Sequence, residues 1–93
     1  MTFSIIKDPE AVLDYAVDWG SQWLGVDVIA ASSWSVSGPD SDLVVDTSSF
    51  TDDIATVWLS GGTLGGKYAV INHITTSEGR EDDRTIVVTV GNK

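Results

Sequence analysis

The chain offers few side chains that could carry chemistry, since it has one histidine, no cysteine, and five basic residues against fourteen acidic ones. His73 lies midway along a predicted strand, out of phase with Val70 and Ile74, and is therefore expected on an outer face. A catalytic histidine needs a nucleophile or an orienting carboxylate within hydrogen-bond reach. The serines Ser4, Ser60 and Ser77 stand in no nucleophile-elbow sequence. We therefore predict a surface histidine, no catalytic residues and no enzymatic activity.

Three groups of acidic residues lie in segments where loops are expected. These groups are Asp40, Asp42 and Asp46; Asp52 and Asp53; and Glu81, Asp82 and Asp83. A calcium ion needs six or more converging oxygens, and none of the groups follows the spacing of an EF-hand loop. Loop carboxylates on an acidic protein are usually solvated, so we predict neither a metal ion nor a cofactor.

The segment GGTLGG at residues 61–66 is rich in glycine but does not have the sequence of a phosphate-binding loop. It lacks the Gly-Lys-Ser/Thr ending, and a strand rather than a helix is expected after it. Glycines readily adopt the positive φ angles that a chain reversal needs. This segment is therefore interpreted as a turn.

The segment GREDDR at residues 79–84 is the most highly charged part of the chain. Its two arginines and three acids could form exposed ion pairs, which contribute about 0–1 kcal/mol each. They could instead order the loop as a docking surface, because arginine is favoured at interfaces. Both interpretations stay open. The candidate interface residues are Arg80, Glu81, Asp82, Asp83 and Arg84, with Thr63 and Leu64 of the glycine-rich turn.

The elements that would position these groups are predominantly β-strands. Three successive strands are predicted at residues 55–60, 67–76 and 84–90, and they are rich in Val, Ile, Thr and Tyr. The glycine-rich turn would connect the first pair, and a polar loop at residues 77–83 would connect the second. We interpret the three strands as a β-meander.

The N-terminal half shows further alternation of apolar and polar residues. Asp8-Pro9-Glu10 is typical of a helix start, yet Leu13, Tyr15, Val17 and Trp19 alternate with polar or small residues, so a strand is favoured over a helix. A tight turn is expected at residues 21–25. Other strands are expected at residues 3–6, 27–36 and 43–48. Together these predict an all-β, immunoglobulin-like β-sandwich of about seven strands, with residues 1–93 as one domain.

Aromatic residues are expected to hold this sandwich together. Tyr68 follows a glycine turn at the start of a strand, which is the position of a tyrosine corner, although an ordinary core tyrosine is an equal alternative. The chain has four tryptophans, which are expected to anchor the core or an interface. The predicted structural residues are Trp19, Trp34, Trp58 and Tyr68. Trp23 is the candidate for an exposed aromatic.

The net charge of −9 repels phosphate backbones, so direct nucleic-acid binding is disfavoured and basic partners are favoured. The same acidity also serves solubility.

No run approaches the ~18 apolar residues of a transmembrane helix. The first residues, MTFSIIKDPE, lack the apolar region of a signal peptide. We therefore expect neither membrane insertion nor secretion.

The runs KDPEAVLDYAVDW, WLG, SSWSV and VWLSGGTLGGKYAVINHITTSEGREDDRTIVVTV resemble a family of small tailed-phage proteins, the phage fibre–tail adaptors. This resemblance covers nearly the whole chain. It implies an immunoglobulin-like structural protein of the virion, made in the host cytoplasm, that bridges tail and fibre and has no catalytic residues. The implied partners are tail, fibre or capsid subunits, in an oligomeric arrangement. Two alternatives stay open, a capsid decoration protein and a host- or carbohydrate-binding module.

Overall fold

The computed structural model describes residues 2–20 and 26–91, which form seven β-strands. In chain order they are β1 (Thr2–Lys7), β2 (Leu13–Asp18), β3 (Ile29–Ser37), β4 (Leu43–Phe50), β5 (Ile54–Gly61), β6 (Lys67–Thr76) and β7 (Glu81–Val90). Over these residues, no helix is long and apolar enough to cross a membrane.

Two sheets form a sandwich. One contains four strands in the order β1-β7-β6-β3, and the other contains three in the order β2-β5-β4. β1 runs parallel to β7, whereas the other pairs are antiparallel. Immunoglobulin domains likewise place their second, fourth and fifth strands in one sheet and their third, sixth and seventh in the other. The predicted seven-strand, all-β sandwich is confirmed.

Alternation along the strands places one set of side chains between the sheets. On β6, and on β7 from Arg84 onward, every second residue is buried. Burying a Val, Leu or Ile contributes about 1.5–3 kcal/mol, so this periodicity fixes the register of each strand. The buried apolar residues are Val17, Trp19, Ile29, Leu43, Ala55, Val57, Leu59, Tyr68, Val70, Ile74, Ile86, Val88 and Val90.

The ambiguous N-terminal segment forms a strand, as favoured from its alternation. Asp8 makes a turn instead of starting a helix: its Oδ1 accepts the backbone N–H of Glu10 at 3.0 Å, and its carbonyl accepts that of Ala11 at 3.0 Å. β2 then begins at Leu13. The turn expected at residues 21–25, with Trp23, lies outside the described residues.

The predicted β-meander is wrong in one respect. β5 belongs to the three-stranded sheet and β6 to the four-stranded sheet, so residues 62–66 cross between the sheets and do not close a hairpin. Only β6 and β7 form the expected hairpin. Alternation shows that a segment is a strand, but it carries no information about which strand lies beside it.

The tryptophans differ in their environment. Trp19 is fully buried, and Trp34 packs against the core from a partly buried position. Trp58 was predicted to be structural, but its side chain lies on the outer face of β5 and is 40% exposed. Its neighbours Val57 and Leu59 are buried in the core. Because successive side chains of a strand point to opposite faces, Trp58 between them points outward.

The connecting loops gather at opposite ends of an elongated molecule of 40 × 21 × 20 Å. The strand directions place residues 8–12, 38–42 and 62–66 at one end, called here the corner end. Residues 26–28, 51–53 and 77–80 lie at the other, called the hairpin end. The sequence-predicted interface residues are therefore divided between the two ends of the sandwich.

Candidate functional site

The corner end is organised around Tyr68. The backbone N–H of Thr63 donates to the Tyr68 hydroxyl at 3.0 Å, and this hydroxyl donates to Asp40 Oδ1 at 2.5 Å. Of the two alternatives that the sequence left open for Tyr68, the structure thus shows the tyrosine corner. The hydrogen bond from Tyr68, followed by that from the backbone N–H of Asp42, holds the pKa of Asp40 below its usual range. These bonds hold residues 62–66, which cross between the sheets, in place.

The tip of the corner end combines acidic and apolar groups. The Thr63 hydroxyl lies 2.9 Å from Asp40 Oδ2 and 2.7 Å from Asp42 Oδ2. Leu64, the next residue, is 57% exposed. In the part of the chain that the structure describes, no group of three or more His, Cys, Asp or Glu side chains is placed to hold a metal ion. This tip therefore offers a binding partner an apolar contact at Leu64 beside the carboxylates of Asp40 and Asp42.

Asp27 organises the hairpin end. Its carboxylate is almost completely buried and accepts hydrogen bonds from the Val28 N–H at 2.8 Å, the Ser77 hydroxyl at 2.8 Å and Arg80 Nε at 3.1 Å. Burial alone would raise the pKa of Asp27. Hydrogen bonds from Thr76, Ser77, Val28 and Arg80 outweigh this and hold the pKa well below its usual range. Arg80 thus secures the β6–β7 turn to the start of β3.

Arg84 has a different position from the one predicted. β7 begins at Glu81, three residues before the strand predicted from Arg84, so residues 81–83 belong to a strand and not to the predicted polar loop. Arg84 was also a candidate for the interface. Its side chain is only 10% exposed, with its guanidinium carbon 4.4 Å from the centroid of the Trp19 ring and its Nη1 2.9 Å from Asp82 Oδ2. Within this chain Arg84 is a structural residue, and the surface assignment from sequence was wrong for it.

His73 lies on the outer face of the four-stranded sheet, as its phase predicted. Its Nδ1 is 2.5 Å from Asp83 Oδ1 and its Nε2 is 2.9 Å from Glu81 Oε1. The hydrogen bonds to Asp83 and then Glu81 raise the pKa of His73. Both ring nitrogens are engaged by carboxylates, so the imidazole cannot act as a base while these bonds persist. The sequence did not reveal this triad because it depends on the β6–β7 register, which places His73 opposite Asp83.

This arrangement predicts a stability that depends on pH. The pKa of His73 is higher in the folded state, so its contribution is complete below the unfolded pKa of about 6.5 and is lost as the pH rises through the folded pKa. We expect the thermal unfolding midpoint to fall with rising pH above about 6.5. In a His73→Gln variant, this part of the pH dependence should be absent. Identical pH profiles for both proteins, measured by circular dichroism, would contradict the prediction.

Strands β2 to β6, Trp58 and both loop ends all lie within the part of the chain that matches a known family. Residues 7–89 match the model of a family described as podophage GP4 fiber-tail adaptor protein gp77. The chain belongs to this family. The predicted resemblance to phage fibre–tail adaptors is therefore confirmed. No curated protein matches the chain significantly.

One structural feature of this Gp77 family member was not foreseen from its sequence. Lys7, at the end of β1, is fully buried, and its Nζ donates to the carbonyl oxygens of Asp8 at 2.9 Å and Gly61 at 2.7 Å. Burial lowers the pKa of this ammonium group. The bond to Gly61 connects β1 of one sheet with β5 of the other. Lysine is rarely buried, so its residue type gave no indication of this position.

Proposed function

We propose that this Gp77 family member is a tail-associated adaptor of a tailed bacteriophage, joining tail and fibre proteins and catalysing no reaction. The observation that carries the proposal is the family match, which spans residues 7–89 and so includes β2 to β6 completely, β7 except Val90, and only Lys7 of β1. A virion component that is held by neighbouring subunits gains stability from these contacts. We further propose that the 93 residues act as one domain and that several copies assemble in the particle.

The two loop ends support a bridging role. They lie at opposite ends of the 40 Å axis, so two partners could bind without competing for the same surface. The corner end offers the exposed Leu64 beside Asp40 and Asp42. The hairpin end offers Arg80 and, where β7 begins, the exposed carboxylates of Glu81 and Asp83. Different surface chemistry at the two ends suits two different partners.

The charge of the chain limits the class of partner. A net charge of −9 disfavours contact with the packaged genome and favours basic surfaces of other virion proteins. We therefore assign the partners to tail and fibre subunits, with assembly following synthesis in the host cytoplasm.

Deletion of the gene from the phage that encodes this chain tests the role directly. We expect particles with filled heads and assembled tails but without fibres, because the connection between them is missing. Fibre and tail proteins per particle would be counted by quantitative mass spectrometry of purified virions. Fibres retained at normal number would contradict the adaptor role. Hundreds of copies of the chain on normal particles would instead indicate capsid decoration.

Complementation with end-specific variants tests the two binding ends. Leu64→Ser alters only the corner end, and the Glu81→Gln, Asp83→Asn double variant alters only the hairpin end. We expect each to weaken one connection while the chain stays folded. The two variants serve as controls for each other: loss of the same partner from both would contradict separate sites at the two ends.

A further inference from the structure

The outer face of the β2-β5-β4 sheet carries an exposed tryptophan that the core does not use. Trp58 lies on β5, the central strand of this sheet, between Asp14 of β2 and Thr47 of β4 in the strand register. Its 40% exposure is unusual for a tryptophan in the middle of a sheet. We call this surface, comprising Trp58, Asp14 and Asp46 with the small residues beside them, the Trp58 face.

The neighbours of Trp58 leave its ring accessible. Two residues away along β5 is Thr56, which pairs with Ala16 on one side and Ser49 on the other. These side chains are too short to cover an indole. A large aromatic surface among small residues is typical of the anchor position of a protein interface, where tryptophan and arginine contribute most to binding.

Carboxylates flank the ring. Asp14 is directly opposite Trp58 in an antiparallel pair, where side chains approach to about 4.5–5.5 Å at Cβ. Asp46 is exposed at the bulge of β4, and its Oδ1 accepts the Ser60 hydroxyl at 2.8 Å. A cation above the indole would therefore meet both an aromatic face and negative charge.

We propose that the Trp58 face binds an arginine presented by a basic partner protein, with the guanidinium stacked on the indole and paired with Asp14. Arginine suits both requirements, since its planar group stacks on aromatic rings and forms directed bonds to carboxylates.

Elsewhere in the same chain, an arginine already stacks on a tryptophan and pairs with a carboxylate. Arg84 lies 4.4 Å from the Trp19 centroid and pairs with Asp82 at 2.9 Å. On the Trp58 face, Trp58 and Asp14 correspond to Trp19 and Asp82, and the partner protein would supply the arginine.

The charge of the chain argues against a second copy as the partner. Another copy would bring a further net charge of −9 to a surface that is already acidic. Of its arginines, Arg84 is buried and Arg80 is engaged by Asp27. This inference does not depend on the adaptor role, because any basic protein surface with an accessible arginine fits the site.

Nuclear magnetic resonance of the full chain tests the proposal. The indole N–H signal of Trp58 would be assigned by its loss in a Trp58→Phe variant. The chain would then be titrated, at 0.15 M salt, with the peptide acetyl-Gly-Arg-Gly-Arg-Gly-amide and with the same peptide carrying citrulline, which is uncharged, in place of arginine. We expect the arginine peptide, and not the citrulline peptide, to shift the Trp58 indole signal.

Two charge variants make the test specific. Asp14→Asn removes the carboxylate next to Trp58, and Asp52→Asn makes the same change at the hairpin end. We expect Asp14→Asn to weaken peptide binding about two- to fivefold, as for an exposed ion pair or cation–π contact. Asp52→Asn should have no effect, because charges beyond about 8 Å are screened at this salt concentration.

Four results would overturn the proposal. The first is an unmoved Trp58 signal at millimolar arginine peptide. The second is equal weakening by both charge variants, which would indicate unspecific attraction. The third is a shift of Trp58 by oligosaccharides and not by the peptide, which would indicate a sugar site. The fourth is a concentration-dependent dimer that is lost in Trp58→Ala, which would indicate a second copy.

Discussion

Replacement of Trp19 with alanine is expected to lower the free energy of unfolding by about 3–5 kcal/mol, the range found for large aromatic residues removed from a core. Trp19 is fully buried, and its Nε1 donates to Asn72 Oδ1 at 2.9 Å. The guanidinium of Arg84 would also lose the ring on which it stacks. Small domains have total stabilities of about 5–15 kcal/mol, so this single change removes a large part of the margin.

The effect is large because Trp19 joins the two sheets. Asn72, its partner on β6, donates through Nδ2 to the Ser32 hydroxyl at 2.9 Å and to the Ser33 carbonyl at 3.0 Å. The second and sixth strands are the ones that a disulfide connects in antibody domains. This chain has no cysteine, and a buried polar network links the corresponding strands.

Urea unfolding followed by circular dichroism would measure the change, with Trp58→Ala as the matched control. The same substitution on the outer face should cost about 1 kcal/mol or less, as surface changes usually do. Equal losses at the two positions would show that the burial of Trp19 does not determine its contribution.

The second large effect is expected for Gly61→Ala, at about 3 kcal/mol. Gly61 has a φ of 76°, in the left-handed region that costs other residues about 1–2 kcal/mol. A Cβ at this position would also collide with the carbonyl oxygen of Asp42, which belongs to the backbone and cannot rotate away. Crowding of this kind costs about 1–3 kcal/mol more.

Gly65→Ala is the natural control for this prediction. Gly65 lies in the same crossover with a φ of 87°, yet a Cβ there would meet nothing within 4 Å. Its replacement should therefore cost only the conformational part, about 1–2 kcal/mol. If urea unfolding gave the same loss for both variants, the contact with Asp42 would have no energetic importance.

The sequence contained enough information for the strands but not for their neighbours. Alternation from Leu13 to Trp19 predicted β2 correctly against a helix-start signal, because burial of one face outweighs a local capping preference. The glycine-rich turn between β5 and β6 was expected to close a hairpin, because nothing in its residues records which sheet follows. For Tyr68 the sequence left a tyrosine corner and an ordinary core tyrosine as alternatives, because a position after a glycine turn is a local signal, whereas the bond to Asp40 comes from a distant segment.

The candidate sites were harder to predict than the fold. Arg84 and Lys7 are charged residues, and residue type alone places such side chains in solvent. Trp58 is large and apolar, and residue type alone places it in the core. Each of these positions depends on strand phase combined with contacts from distant parts of the chain, such as Trp19 beneath Arg84 and Gly61 beside Lys7.

The parallel pairing of β1 with β7 determines how the molecule responds to mechanical tension. Six consecutive residues of β1 are matched to residues 85–90, and the two strands run in the same direction, so residue 2 lies beside Thr85, midway along β7, whereas residue 91 lies at the corner end. A force applied between residues 2 and 91 would shear β1 against β7 and strain all the hydrogen bonds between them at the same time. A force that separates the two strands of a hairpin would instead break its hydrogen bonds one after another. The rate of forced unfolding then depends on breaking the pairing at all six positions at once. Such a geometry suits a fibre–tail adaptor that must hold under tension.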